Sequence, residues 1–183
     1  MNTGMINLTL KMGPGKENQP ELNDFLREHL NNAINAGFKI IHLPRIGGFV
    51  NNEVEQYITK LSGEEFKNYY EIAVEVAKRI ESLNAGFKWF EEIGLKYEQK
   101  VFDGIRKAPD SEDNNIAKAV AEWADGDTIA CAVGIGSDYI CTKDDAKGAG
   151  VNSVFSKQNI EILSEEFKVK LIKPIDLENM FPL

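Results

Sequence analysis

The stretch from Thr128 to Thr142 limits the fold more than any other part of this chain. Its first residues, TIACAV, are small and apolar on nearly every side, so a helix built from them has no face to give to water and has to pack deep against a sheet. Gly134 and Gly136 stop that helix, and DYICT at 138–142 reads as a buried strand. The triplet DGD at 125–127 is read as breaking the helix upstream and capping the apolar one.

Elsewhere the apolar residues alternate between strand and helix periods. MINLTL at 5–10, bounded by Gly4 and the GPG at 13–15, predicts a short first strand. GPGK lacks the spacing and the trailing Ser or Thr of a phosphate loop and is read as a turn. Pro20 opens a helix with Leu22, Phe25, Leu26, Leu30, Ala33 and Ile34 on one face, closed by Gly37. FKIIHL at 38–43 follows as a buried strand. Past Pro44 a helix starts near Asn51 or Asn52, with Glu53 in its first turn. Ser62 and Glu65 form a capping box, and Phe66, Tyr69, Ala73, Val76, Ile80 and Leu83 carry a helical stripe to about Asn84. One further helical stretch spans roughly 87–107. Pro109 and Ser111 restart the chain into a helix that keeps Ile116, Ala117, Val120 and Ala124 inward, up to the DGD break. SKQNIEIL predicts a late helix and VKLIKP at 169–174 a last strand. The pattern predicts a single α/β domain over residues 1–183, with a mainly parallel central sheet of about four to five strands flanked by helices on both faces.

Composition narrows the function classes. With 29 acidic against 21 basic residues the formal net charge is −8, so the chain cannot coat nucleic acid through its overall field. Two cysteines, Cys131 and Cys141, and two histidines are too few for a zinc finger, and the apolar settings IACAV and YICTK predict buried thiols. No apolar run approaches the ~18–20 residues of a membrane span, and residues 1–12 lack the apolar core of a secretory signal. Cytoplasmic placement without a membrane partner is the expectation. No GxGxxG, nucleophile elbow or Cys-His pair is present.

In parallel sheets, sites form at the carboxyl ends of strands. Asp144 and Asp145 follow the strand YICT, Asp125 and Asp127 precede TIACAV, and Glu53 lies past the strand at 38–43. Carboxylates gathered on one edge repel each other unless a divalent cation neutralises them, and hard oxygen ligands favour magnesium or manganese. Each acid taken singly is also an ordinary helix cap or loop residue.

The run DGDTIACAVGIGSDYICTKDD, followed by a helix and VKLIKP, resembles the C-terminal half of the PIN-domain nuclease family. That family opens a small apolar helix with Asp in D-x-x-I-A-x-x-A and ends the next strand in T-x-D. Thr142, Lys143 and Asp144 match the T-x-D. Asp127 or Asp125 matches the helix-opening acid, one residue off the commonest spacing, and the choice stays open. Glu53 in NNEVEQYI, with Glu55 as the alternative, fits the acid that follows the second strand. The resemblance runs from about residue 38 to 174 and departs at one place: MINLTLKM has no acid, and Thr9 stands where the family has its first Asp.

The resemblance implies an endoribonuclease that uses Mg2+ or Mn2+ to activate water. It gives Glu53, Asp127 or Asp125, and Asp144 as metal ligands, Asp145 as an outer-sphere ligand, and Thr142 as the residue that orients Asp144 or touches the phosphate. Lys143, Lys147 and Arg45 would meet the phosphates. RNA as substrate, an antitoxin-like protein partner and a homodimer are implied in the same way, the helices at 62–107 being the surface for a twin. The missing first acid implies an alternative, a catalytically lapsed domain that serves as a binding or protein-interaction module.

Overall fold

The structure, a computed structural model, describes residues 8–10, 24–43, 52–143, 150 and 152–180. Their order is β1 (Leu8–Leu10), α1 (Asp24–Asn35), α2 (Asn52–Glu55), α3 (Gly63–Ser82), α4 (Phe87–Tyr97), α5 (Val101–Lys107), a 3-10 turn (Asp110–Glu112), α6 (Asp113–Gly134), β2 (Tyr139–Cys141), α7 (Lys157–Phe167), β3 (Lys170–Ile172) and α8 (Pro174–Met180). Helices dominate. Among the described residues the sheet has three strands of three residues each in the order β1-β2-β3, parallel throughout, with Leu8 opposite Tyr139 and Tyr139 opposite Lys170.

This corrects the expected sheet of about four to five strands. The run at 38–43 makes one isolated parallel bridge, Ile40 to Ile58, in place of a strand. A parallel strand is stable when both of its faces are covered. Here Phe38 is 66% exposed, and among the described side chains of residues 24–43 and 53–61 none is buried. The apolar run lacks the cover that would turn it into a strand.

α3 forms where the capping box placed it. Ser62 Oγ accepts from the Glu65 backbone N–H at 3.2 Å, and Glu65 Oε2 accepts from the Ser62 N–H at 2.7 Å. Its inner face, Tyr69, Val76 and Ile80, packs on α6.

The D-G-D break does not occur. α6 runs unbroken for 22 residues, about 33 Å at 1.5 Å per residue, so Asp125 and Asp127 lie in mid-helix and cap nothing. Packing overrides the local preference at this point. A Cβ on Gly126 would lie 3.2 Å from Gly86 Cα, so only glycine fits without a shift, and Thr128 Oγ1 donates to the Ala124 carbonyl at 2.8 Å across the triplet. The following run, Thr128 to Ala132, is buried residue by residue, as the TIACAV pattern required.

The stretch at 87–107 is two helices, not one. Glu98 is extended, and α4 and α5 fold back on each other with their backbones touching. A Cβ on Gly104 would sit 1.8 Å from the Gly94 carbonyl oxygen.

Two separate apolar clusters hold the described chain. The larger gathers Val76, Ile80, Ala85, Ile129, Ala130, Ala132, Ile140, Val154, Phe155, Leu163 and Val169. The smaller joins Phe90, Ile93 and Ala119 to the half-buried Phe87, Tyr97, Val101, Ile116 and Trp123. Aromatic rings fill the second: Phe87 meets Trp123 edge-on at 4.6 Å between centroids. Among the described residues no helix is long and apolar enough to cross a membrane.

Candidate functional site

Asp127 is half-buried on α6, beside a groove between α3 and α6 lined also by Phe66, Tyr69, Tyr70, Ala73, Val74, Ala77, Ala130 and Cys131, with a volume of about 460 Å³. The stripe on α3 that lines it is polar at neither end. Tyr69 is buried, and its hydroxyl lies 3.0 Å from Cys131 Sγ. Burial pushes the Tyr69 proton affinity far above the ordinary phenol range, and the Cys131 contact and the charge of Asp127 push it the same way. A neutral phenol therefore stands beside the Asp127 carboxylate at any working pH.

Asp125 belongs to a different place. Two residues along an α-helix turn the side chain by about 200°, so Asp125 and Asp127 face nearly opposite directions. The charge of Asp125 is felt by Glu122, whose carboxyl is pushed upward chiefly by burial, against the lowering effect of its own hydrogen bonds. Glu122 Oε1 accepts the Val154 backbone N–H, and the Ser153 side chain and the Gly86 backbone also bond to this carboxylate. The structure thus separates the two acids that the sequence left as alternatives, and it is Asp127 that reaches a groove.

Glu53 lies in the first turn of α2, as expected, but that helix has only four residues. Its Oε2 accepts from Arg27 Nη2 of α1 at 2.8 Å, with the two side chains 50% and 39% exposed. An ion pair this open to water contributes little to stability. Glu55, the alternative, pairs with Lys60 at 3.0 Å.

Thr142 is buried just past the end of β2, where its N–H donates to the Ile172 carbonyl at 3.1 Å. That bond continues the β2–β3 ladder and fixes where the chain leaves the sheet. Lys143 is exposed. Asp144 and Asp145, with Lys147 and Arg45, lie outside the described residues. At the same carboxyl edge, Asp176 Oδ2 accepts the Lys173 N–H at 2.9 Å, and burial together with the Asp176 charge pushes the Cys141 thiol up. Both cysteines are buried thiols, as their apolar settings predicted.

Among the described residues, no group of three or more His, Cys, Asp or Glu side chains is placed to hold a metal ion. Glu53, Asp125 and Asp127 by themselves do not make the centre that magnesium or manganese would need. Two residues of weight escaped the sequence reading. Tyr69 was visible only as one member of the α3 stripe, and nothing at the sequence level separated its hydroxyl from a core ring. Glu122 sat in a helix read as ending three residues later, which hid the fact that it faces the β2–α7 connection.

No protein-family model, no curated protein and no solved structure matches this chain.

Proposed function

We propose that the chain is a PIN-like domain acting as a magnesium- or manganese-dependent endoribonuclease, with the carboxyl edge of the sheet as its working face. The observation that supports this reading is the position of the T-x-D segment. β2 is the central strand of a parallel sheet, it ends at Cys141, and Thr142, held to Ile172, begins the stretch that continues in sequence to Asp144. Sites in such sheets form where the central strands end.

In this reading Asp127 and Asp144, with Asp145 in the outer sphere, would hold the cation, which when bound neutralises the carboxylates and lowers the pKa of a water, while Glu53 stays with Arg27. The chain's own residues supply the surroundings. Tyr69, buried and neutral, walls the groove beside Asp127 without adding a second negative charge. Thr142 anchors the strand end. Lys143 is the exposed cation next to that anchor and would meet a phosphate.

A second reading, a lapsed PIN-like domain that binds without cutting, is supported by Thr9. On β1 it stands in register with Ile140, at the place where the family carries its first acid.

Manganese titration by calorimetry on the wild type, Asp127→Asn and Asp144→Asn, with an RNA cleavage assay on the same samples, separates the two. Saturable binding and cleavage, both lost in either variant, support the nuclease. Binding without cleavage supports the lapsed domain. Absence of any binding that depends on Asp127 or Asp144 sinks the carboxylate site.

A further inference from the structure

The two apolar clusters divide the chain at two points. Every described residue of the smaller cluster falls between Phe87 and Trp123, and every one of the larger falls at or before Ala85 or at or after Ile129. The chain passes from the larger to the smaller once, between α3 and α4, and returns once, in the middle of α6. A glycine stands at each crossing. Gly86 has φ +64°, a conformation that residues with a Cβ adopt only under strain, and Gly126 is the centre of the D-G-D triplet. The two glycines touch: a Cβ on Gly126 would lie 3.2 Å from Gly86 Cα.

We propose that residues 87–125 form a cooperative unit that swings away from the larger cluster about the contact between Gly86 and Gly126 and opens as a whole, its helices losing their hydrogen bonds together. The packing agrees with this. α4 packs on α5 and on α6, and the helix shared with the rest of the molecule is α6, which carries the triplet without a break. Two adjacent pivots define an axis, and the backbone at both is the kind that absorbs changes of φ and ψ at least cost. Inside α6, glycine and aspartate are among the weakest helix formers, so the helix is held straight there by packing more than by its own preference.

The Glu122 side chain spans the hinge. Glu122, on the mobile side, accepts the Val154 N–H and bonds to Ser153, both in the β2–α7 connection, and it also bonds to the Gly86 backbone at the pivot. It acts as the latch that holds the unit closed. Asp125 lies on the mobile side of Gly126 and Asp127 on the fixed side, so opening changes the distance between them while the groove beside Asp127 stays with the larger cluster. The inference does not depend on the nuclease reading.

Hydrogen exchange in dilute urea tests it on the whole chain. The amides of α4, α5 and the first half of α6 are expected to share one opening reaction, at least tenfold more frequent than that of Ile129–Val133, Ile140 and Leu163. Glu122→Ala should speed exchange in 87–125 by a further tenfold or so and leave the second group unchanged, while Glu122→Gln, which keeps an acceptor oxygen, should restore most of the protection. A single common opening for both groups in the wild type overturns the hinge, and so does a Glu122→Ala variant whose exchange rises equally everywhere.

Discussion

Residues 24–61 and residues 62–172 are built from similar material and end in different states. Both carry amphipathic helical stripes and short apolar runs. The second region buries Val76, Ala119, Ala132, Ile140 and Val154 completely, whereas in the first Ile34 remains 41% exposed and Phe38 66%. The difference is not hydrophobicity. α3 finds α6, and α6 finds α3, α4 and β2, while neither α1 nor α2 gains a close helical partner among the described elements. An apolar stripe becomes core only where a second stripe meets it.

The largest effect that would sharpen this contrast comes from the larger cluster. Ile129→Ala removes from it a side chain that is 1% exposed, so chemical denaturation should show a loss of about 4 kcal/mol. A loss under 1 kcal/mol would mean that this core adapts as freely as the surface. Next comes Gly104→Ala. The new methyl would collide with the Gly94 carbonyl, and the α4–α5 pair has to spread, at a cost of about 3 kcal/mol. Unchanged stability would show that the hairpin already samples a wider separation.

A smaller effect is expected on the acid side. Glu112 accepts from Lys96 at 2.7 Å, from Tyr97 at 2.9 Å and from Asn115 at 2.8 Å, and these bonds, that to Asn115 first, hold its carboxyl down to about 2 from 4.5. Because the folded value lies below the unfolded one, the stabilisation is whole above pH 4.5 and is lost as pH falls from 4.5 towards 2. Glu112→Gln should therefore flatten the acid limb of a stability–pH curve. An acid limb of equal slope in both proteins would assign it elsewhere. The smallest effect belongs to the other region: Ile34→Ala should change stability by less than about 0.5 kcal/mol, the range of an exposed site. A loss approaching that of Ile129→Ala would erase the contrast.

What could be read from the sequence follows the same division. Features carried by a short local pattern were legible: the Ser62–Glu65 box, the helix of SKQNIEIL, and the strands read at 138–142 and 169–174, which form at 139–141 and 170–172. Features decided by a distant partner were not. The D-G-D triplet reads as a stop because aspartate and glycine favour caps, and nothing local reveals that Gly86 waits to receive Gly126. The break after Tyr97 depends on Gly94 meeting Gly104, ten residues apart in a run whose helical period never falters. At the candidate site the sequence placed Thr142 at a strand end, and that position holds, whereas Asp127, read as opening the apolar helix, lies in the middle of α6. The convergence of Glu53 with them was an inference from a strand at 38–43, and without that strand its described partner is Arg27.

The sheet order has a consequence for how the molecule comes into being. β1 leaves the ribosome long before β2, yet its described pairing is with that strand, Leu8 opposite Tyr139. Contacts between segments so far apart in sequence close slowly, because the chain between them has to surrender its freedom before the pairing rewards it. The helices of residues 63–134 need no such wait, since α3 to α6 meet neighbours already synthesised. During translation the helical body should therefore assemble first and β1 join it late, which makes the first strand the part most exposed to mispairing in the nascent chain.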